Sequence, residues 1–247
     1  MSFQEYIPPP LLNPYIDTFW VSANDGITAS KILPDGCVDI VFDCGDDSNS
    51  FSDDSIRISG MMTKYKQVVS KQDSETFGIR FKTGLFSSIS NFPLSEIKNK
   101  TIHASEVLPD LNALFLDELL NKKNRIDKIR FLEEFLKNQL YFANNHKNDL
   151  ILSVCASIRS SFQAINLVQI AQQHHISLRQ LERGFKMIVG VTMKEYHTIV
   201  RFTKTMESIS KYPEKSLLHT AFDNGYFDHA HLTKNVRKMA GINPSQI

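Results

Sequence analysis

Along roughly the first hundred positions, apolar residues come in short, often alternating runs. ILPDGCVDIVF (32–42), IRISGMM (56–62), KQVVS (66–70) and TFGIRF (76–81) are separated by Gly-, Asp- and Ser-rich stretches, the pattern of strands and turns. Pro34-Asp35-Gly36 has the residue types of a tight turn leading into CVDIVF. After Pro109 the period changes from two to about 3.6. Asp110 is placed to cap a helix through LNALFLDELL, with Leu111, Leu114, Phe115 and Leu119 on one face. The polar run NKKNR (121–125) ends it, and Ile126, Ile129, Leu132, Phe135, Leu136 and Leu140 stripe a second helix. Such a pair is either a connector packed on the body or a dimer interface, the latter slightly preferred. ANNHKND (143–149) is the best boundary, and the chain beyond it shows helical periodicity only. The expected fold class is α+β: a β-rich domain over 1–108, a helical connector over 109–148 and an all-α domain over 149–247.

The helical part repeats itself. IAQQHHISLRQLERGFKMIVGV (170–191) aligns with TAFDNGYFDHAHLTKNVRKMAGI (220–242) at an offset of 50 that becomes 51 after a one-residue insertion. Ala171 pairs with Ala221, His175 with Gly225, Leu181 with Leu232, Arg183 with Lys234 and Gly190 with Gly241. Two copies are too few for a stacked array, so this is a duplicated helix–turn–helix unit. A small alanine on each first helix permits close crossing, and Ser177 and Asp228 are good caps for the second helices, near 177–189 and 228–240. Leu178, Leu181, Phe185 and Ile188 then face inward, leaving Arg179, Glu182, Arg183 and Lys186 together on the opposite side. In the second copy Leu232, Val236 and Met239 point inward, and His229, Thr233, Lys234 and Arg237 form the outer face. Arginine pairs bidentately with a guanine edge, long cations pair with phosphates, and a helix fits the major groove of double-stranded DNA. A solvated surface is the plainer reading of one charged helix; its recurrence in a duplicated unit favours DNA.

The stretches IAQQHHISLRQLERGFKMIVGVTMKEYHTIVR and LLHTAFDNGYFDHAHLTKNVRKMAGINPSQ resemble the DNA-binding domain of the AraC/XylS family of bacterial transcription regulators. The second holds the A-x-x-x-G-[YF] turn and the G-[IV]-x-P ending as Ala221, Gly225, Tyr226, Gly241, Ile242 and Pro244. The resemblance covers residues of about 150–247. It implies two units joined by a long helix at about 192–207, with recognition helices in successive major grooves about one turn (~34 Å) apart. It also implies base-reading positions at Arg179, Glu182 and Arg183, and at His229, Ala230, Thr233 and Lys234, with His231 nearby. Four features depart from the family pattern: His175 in place of glycine, Val236 in place of phenylalanine, Lys234 in place of arginine, and an ending at Gln246-Ile247 without an aromatic-arginine pair. YIPPPLLNPYIDTFW, ILPDGCVDIVF and GIRFKTGLF are similar to an N-terminal domain of some family members. That similarity implies a cupin-like fold that senses a small-molecule effector or supports a homodimer. RNA polymerase is the further partner implied for an activator.

Charge sharpens this picture. The net +1 hides a gradient: residues 1–110 hold 9 Lys+Arg and 15 Asp+Glu (−6), residues 111–149 hold 7 and 6 (+1), and residues 150–247 hold 12 and 6 (+6). Only the back half is built to meet a polyanion. Cys37, Cys44 and Cys155 are too few and too scattered for a disulfide framework or a four-cysteine metal site, which also disfavours a DNA-alkylation repair protein. His103 is the sole histidine of residues 1–110, too few for a metal-binding cupin enzyme. No enzyme activity, cofactor or metal is expected, and a protein-binding adaptor is the main alternative to a DNA reader. DCGDDSNSFSDD (43–54) lacks the glycine and glutamate of a calcium loop and reads as a solvated hairpin loop. Tyr15, Phe19 and Trp20 read as core before pocket lining. MSFQEYIPPP is no secretory signal, and no apolar run approaches a membrane span, so the expected compartment is the bacterial cytoplasm, with no membrane partner.

Overall fold

The computed structural model describes residues 2–45, 55–70, 72–142, 149–163 and 166–246. The N-terminal half contains β1 (Ser2–Tyr6), β2 (Ile16–Asn24), β3 (Thr28–Ile32), β4 (Val38–Asp43), β5 (Ile56–Ser59), β6 (Lys66–Ser70), β7 (Ser74–Phe81) and β8 (Thr101–His103). Six of them form an antiparallel sheet in the order β1-β2-β7-β4-β5-β8, while β3 and β6 pair separately. The strands read from the sequence are present as β4 to β7. The turn before β4 is closed by Asp35, whose carboxylate accepts from the Cys37 amide at 2.9 Å. Period-two alternation buries Val38, Ile40 and Phe42 of β4 and Ile56 and Ile58 of β5.

That buried face is covered by α1 (Ala113–Leu120) and α2 (Arg125–Phe142). The first helix differs from expectation. Its cap is Asn112, which accepts from the amides of Leu114 and Phe115 at 3.0 and 3.3 Å, while Asp110 accepts from Gln139 of α2 at 2.9 Å. The later start shifts the buried stripe, so Leu116 and Leu119 are buried and Leu114 is 77% exposed. The stripe of α2 packs on the body: Ile129, Leu132, Phe135 and Leu136 are buried in the β-domain core, and Phe131 and Phe135 each lie 4.9 Å from the ring of Phe115. The helix pair is thus packed on the β-rich body. Phe19 is fully buried, Trp20 stacks on Phe3 at 6.0 Å, and Tyr15 packs half-buried against the core. Most of the acidic loop, 46–54, and most of the proposed boundary, 143–148, lie outside the described residues.

A second core holds α3 (Asp149–Ser160), α4 (Leu167–Gln173), α5 (Leu178–Val189), α6 (Met193–Lys211), α7 (Leu217–Asp223) and α8 (His229–Ala240). Met61 of the β-rich half is buried within it. The halves also meet at Tyr196 of α6, whose hydroxyl lies 3.3 Å from Thr83 Oγ1 and accepts from Arg159 at 3.0 Å, and at the Lys98–Glu195 ion pair.

One charge cluster organises the turn and strands nearest this junction. Arg80 of β7 stands opposite Asp39 of β4 and reaches both Asp39 and Asp35 at 3.3 Å. Burial pushes the Asp39 carboxyl up to about 6, against the pull of Arg80. Arg80→Met would leave two shielded carboxylates without their cation and is expected to cost about 2–3 kcal/mol at pH 8. A folded pKa above the unfolded ~3.9 means that protonation favours the folded state. The deficit should therefore narrow as pH falls to about 6 and below, as measured by urea unfolding across that range.

Candidate nucleic-acid interface

Each helix–turn–helix unit is assembled by short-range signals. In the first, Asn166 caps α4 and Ser177 caps α5 in a reciprocal box with Gln180. In the second, Ser216 caps α7, and Asp228 caps α8 by accepting from the His231 amide at 2.7 Å. Each such cap stabilises its helix by about 1 kcal/mol. The two turns share one hydrogen-bond pattern. The His175 and Ile176 amides donate to the Gln172 and Ala171 carbonyls at 3.1 and 3.2 Å, and those of Gly225 and Tyr226 donate to Phe222 and Ala221 at 3.1 and 2.9 Å. The pattern demands a left-handed residue at its centre. Gly225 adopts φ 72 freely, whereas His175 holds φ 54 at a cost that glycine avoids. The histidine flagged by the repeat is thus a strained turn residue.

Apolar packing aims the second helices. Leu181, Phe185 and Val189 of α5 and Leu232, Val236 and Met239 of α8 are buried, each large side chain contributing about 1.5–3 kcal/mol relative to exposure. Both helices end on left-handed glycines, Gly190 and Gly241, whose amides donate to Lys186 and Arg237 carbonyls at 3.0 and 2.9 Å. These caps abut the β-rich half: a Cβ at Gly190 would lie 3.0 Å from the Leu94 carbonyl oxygen, and one at Gly241 would lie 2.5 Å from the Tyr65 ring.

The outer faces carry the predicted residues. Arg179, Glu182, Arg183 and Lys186 are exposed on α5, as are His229, Ala230, His231, Lys234 and Arg237 on α8. Among the described residues, Arg179, Arg183, Lys186 and Lys234 form no ion pair, whereas Lys204 and Lys215 are paired with Glu207 and Asp223. Arg237 donates to Asn243. His231 is drawn back toward the turn, accepting from the Phe227 amide at 3.4 Å and meeting the Tyr226 ring edge-on at 5.2 Å. Thr233 departs from the outer-face expectation: it is half-buried, and its hydroxyl is shielded from water with no partner among the described residues. It borders the stripe of Leu232 and Val236, so the buried zone of α8 is wider than that of α5, where Glu182 at the matching position is exposed.

Sequence reasoning missed the polar support beneath the second unit. The Arg201 guanidinium of α6 lies 4.4 Å from the Tyr226 ring centre and donates to the Gly225 carbonyl at 3.2 Å. Tyr226 donates to Asn235 at 2.9 Å, and Thr205 Oγ1 lies 3.4 Å from the tyrosine hydroxyl. Arg201 is 24 residues from Gly225, beyond any helical period. Phe227, 84% exposed immediately before the Asp228 cap, was also unflagged. Elsewhere chemistry is muted: burial pushes the Cys44 and Cys155 thiols up to about 12, so both stay protonated. Among the described residues, no three His, Cys, Asp or Glu side chains gather to hold an ion, and no helix is long and apolar enough to cross a membrane.

Two capped units on one long helix, with cationic faces turned outward, define a DNA-binding transcription regulator. The helix-turn-helix domain family matches residues 170–247, and a domain of unknown function (DUF6597) matches residues 4–103. The C-terminal third of the chain thus carries a helix-turn-helix domain. Similar solved structures include ToxT from Vibrio cholerae O395, at 13% identity and TM-score 0.47 over 99% of this chain and 96% of that one. Unsaturated fatty acid-bound ToxT from strain SCE256 is similar at 12% and 0.47 over 92% of each chain. The C-terminal domain of AraT, a response regulator from Geobacillus stearothermophilus, is similar at 20% and 0.38 over 41% of this chain and 85% of that one. No curated protein matches.

The two turns offer a direct comparison of strain. Gly225→Ala places a Cβ 2.5 Å from the Gln163 carbonyl oxygen at a left-handed φ and is expected to cost about 2–3 kcal/mol. His175→Gly should instead gain about 0.5–1 kcal/mol, the relieved strain less the added chain entropy. Urea midpoints of the two variants should move in opposite directions.

Proposed function

We propose that α5 and α8 enter successive major grooves on one face of double-stranded DNA, with Arg179, Glu182 and Arg183 reading bases from the first helix. On the second helix His229, Ala230, Lys234 and, to a lesser degree, Thr233 meet base edges, while Lys186, His231 and Arg237 serve the phosphates flanking them. The observation carrying this reading is the pair of matched, capped helices whose outward cations have no carboxylate partner among the described residues. Such cations displace counterions from a duplex without first breaking internal ion pairs. The 19-residue α6 rises about 28 Å, a length suited to units one DNA turn apart.

In this reading residues 1–108 form a cupin-like regulatory domain for a small-molecule effector, 109–148 its helical connector, and 149–247 the DNA reader. The regulator works without catalysis, metal or cofactor in the bacterial cytoplasm. It meets DNA as a homodimer and, where it activates, contacts RNA polymerase.

Selection of bound duplexes from a random library supplies the target. Arg183→Ala should lose about 1–3 kcal/mol on the selected site and relax preference at one base pair, as expected for loss of a bidentate contact. An unchanged base preference removes Arg183 from the reading role. The log of affinity should fall linearly with log salt, and Lys186→Ala should make that slope shallower by about one. Failure to enrich any sequence would favour a protein-binding adaptor.

A further inference from the structure

The β-rich half carries a basic cleft. Strands β5 and β8 pair at the sheet edge, with Arg57 opposite His103 and Ser59 opposite Thr101. Because Ile58 between them is fully buried, strand alternation turns Arg57 and Ser59 to the other face. The start of β6 crosses this edge and donates from Lys66 Nζ to Thr101 Oγ1 at 2.8 Å. A cavity of about 380 Å³ opens between Arg57, Lys66, Thr101, His103 and Glu106. A second, of about 140 Å³, adjoins it at Lys66 and Thr101 and is lined by Lys64, Tyr65 and Lys100.

Cations outnumber carboxylates there. Arg57 is held by Asp43 at 2.5 Å, and Glu106 accepts from the His103 amide at 3.3 Å. Lys64, Lys66 and Lys100 form no ion pair among the described residues. Partial burial, with Arg57 close by, lowers the Lys66 ammonium below its ordinary pKa, as expected of a cation lacking a counter-charge. In a half of the chain whose net charge is negative, this concentration of positive charge lies beside a hollow at the small end of the range for ligand sites.

We propose that this cleft is the effector site and that its ligand is a small anion with several oxygens, a carboxylate or a phosphate. Lys66 supplies the point charge, Lys64 and Lys100 flank it, and the Thr101 hydroxyl, which already accepts from Lys66, donates to the ligand. The cleft also touches the DNA-reading half. Tyr65, adjacent to Lys66, lies against Gly241 at the end of α8. Lys31 sits over the Tyr65 ring at 5.0 Å and donates to the Gly241 carbonyl at 3.3 Å. An anion that repositions Lys66 therefore acts next to the residue against which the second recognition helix ends. This coupling rests on the DNA-reading function proposed above, whereas anion binding does not.

The full chain is titrated calorimetrically with inorganic phosphate and, separately, with succinate, at ionic strength held constant with chloride. Saturable one-site binding of either is expected, and the preferred probe tells phosphate chemistry from carboxylate chemistry. Lys66→Gln should weaken it about tenfold, the loss of one charge-assisted hydrogen bond, and Lys204→Gln on α6 should leave it unchanged. No saturable heat up to tens of millimolar, or equal binding by Lys66→Gln, overturns the site. If Lys66→Gln weakens duplex binding while neither small anion binds, the cleft holds DNA phosphate and the effector proposal falls. Duplex affinity is then measured with and without the anion. A bound anion that leaves it unchanged overturns the effector role, and absence of duplex binding defeats the DNA reading while the calorimetric result on the cleft stands.

Discussion

The arrangement of the two helix–turn–helix units depends on the burial of α6. Its first half inserts Tyr196 between the first unit and the β-rich half, where the ring lies 5.8 Å from Phe185 and the hydroxyl meets Thr83 and Arg159. Its middle and second half carry Arg201 and Thr205 beneath the second turn. A stiff helix anchored at both ends transmits orientation, so neither unit turns without disturbing a buried contact. The polar groups on it are costly unless paired, and those pairings specify one seating of each unit.

The two units solve the same problem with unequal means. Both turns need a left-handed residue, and the second has glycine while the first strains a histidine. Both second helices are capped, yet α5 has a reciprocal box and α8 a single carboxylate. In the first unit Arg179, Arg183 and Lys186 are exposed and form no ion pair among the described residues. In the second, Thr233 turns its hydroxyl inward, His231 leans on Tyr226 and Arg237 bonds Asn243. Matching positions thus present different surfaces, because their side chains differ, as Thr233 does from Glu182, and because the zone of burial around α8 is wider.

The β-rich half is more than a passive neighbour. It supplies Leu94 behind one recognition-helix terminus and Tyr65 behind the other, and glycine at each terminus permits the approach. Changes in this half therefore have a short physical route to the ends of both α5 and α8, through packing and backbone contact. The Lys31 contact with the end of α8 adds a cation beside a helix C-terminus, where its charge complements the helix dipole.

Much of this was legible in the sequence wherever the determinants are local. Caps, turns, helical stripes and the internal repeat are set by residues a few positions apart, so Ser177 and Asp228 and the buried faces of α5 and α8 could be read directly, whereas the long α6, expected at about 192–207 and found at Met193–Lys211, came from the family resemblance. The strands from β4 to β7 were legible as alternating runs. The sheet order β1-β2-β7-β4-β5-β8 was not, because pairing joins segments separated by long loops and period alone does not choose partners. The same limit explains the diversion of Asp110 to Gln139, the seat of α2 on the β core, the support of Tyr226 by Arg201, and the shielding of Thr233. Local chemistry determined which elements form and which faces are polar; tertiary packing decided which of those faces meet, because burial depends on neighbours that the chain brings together only when folded.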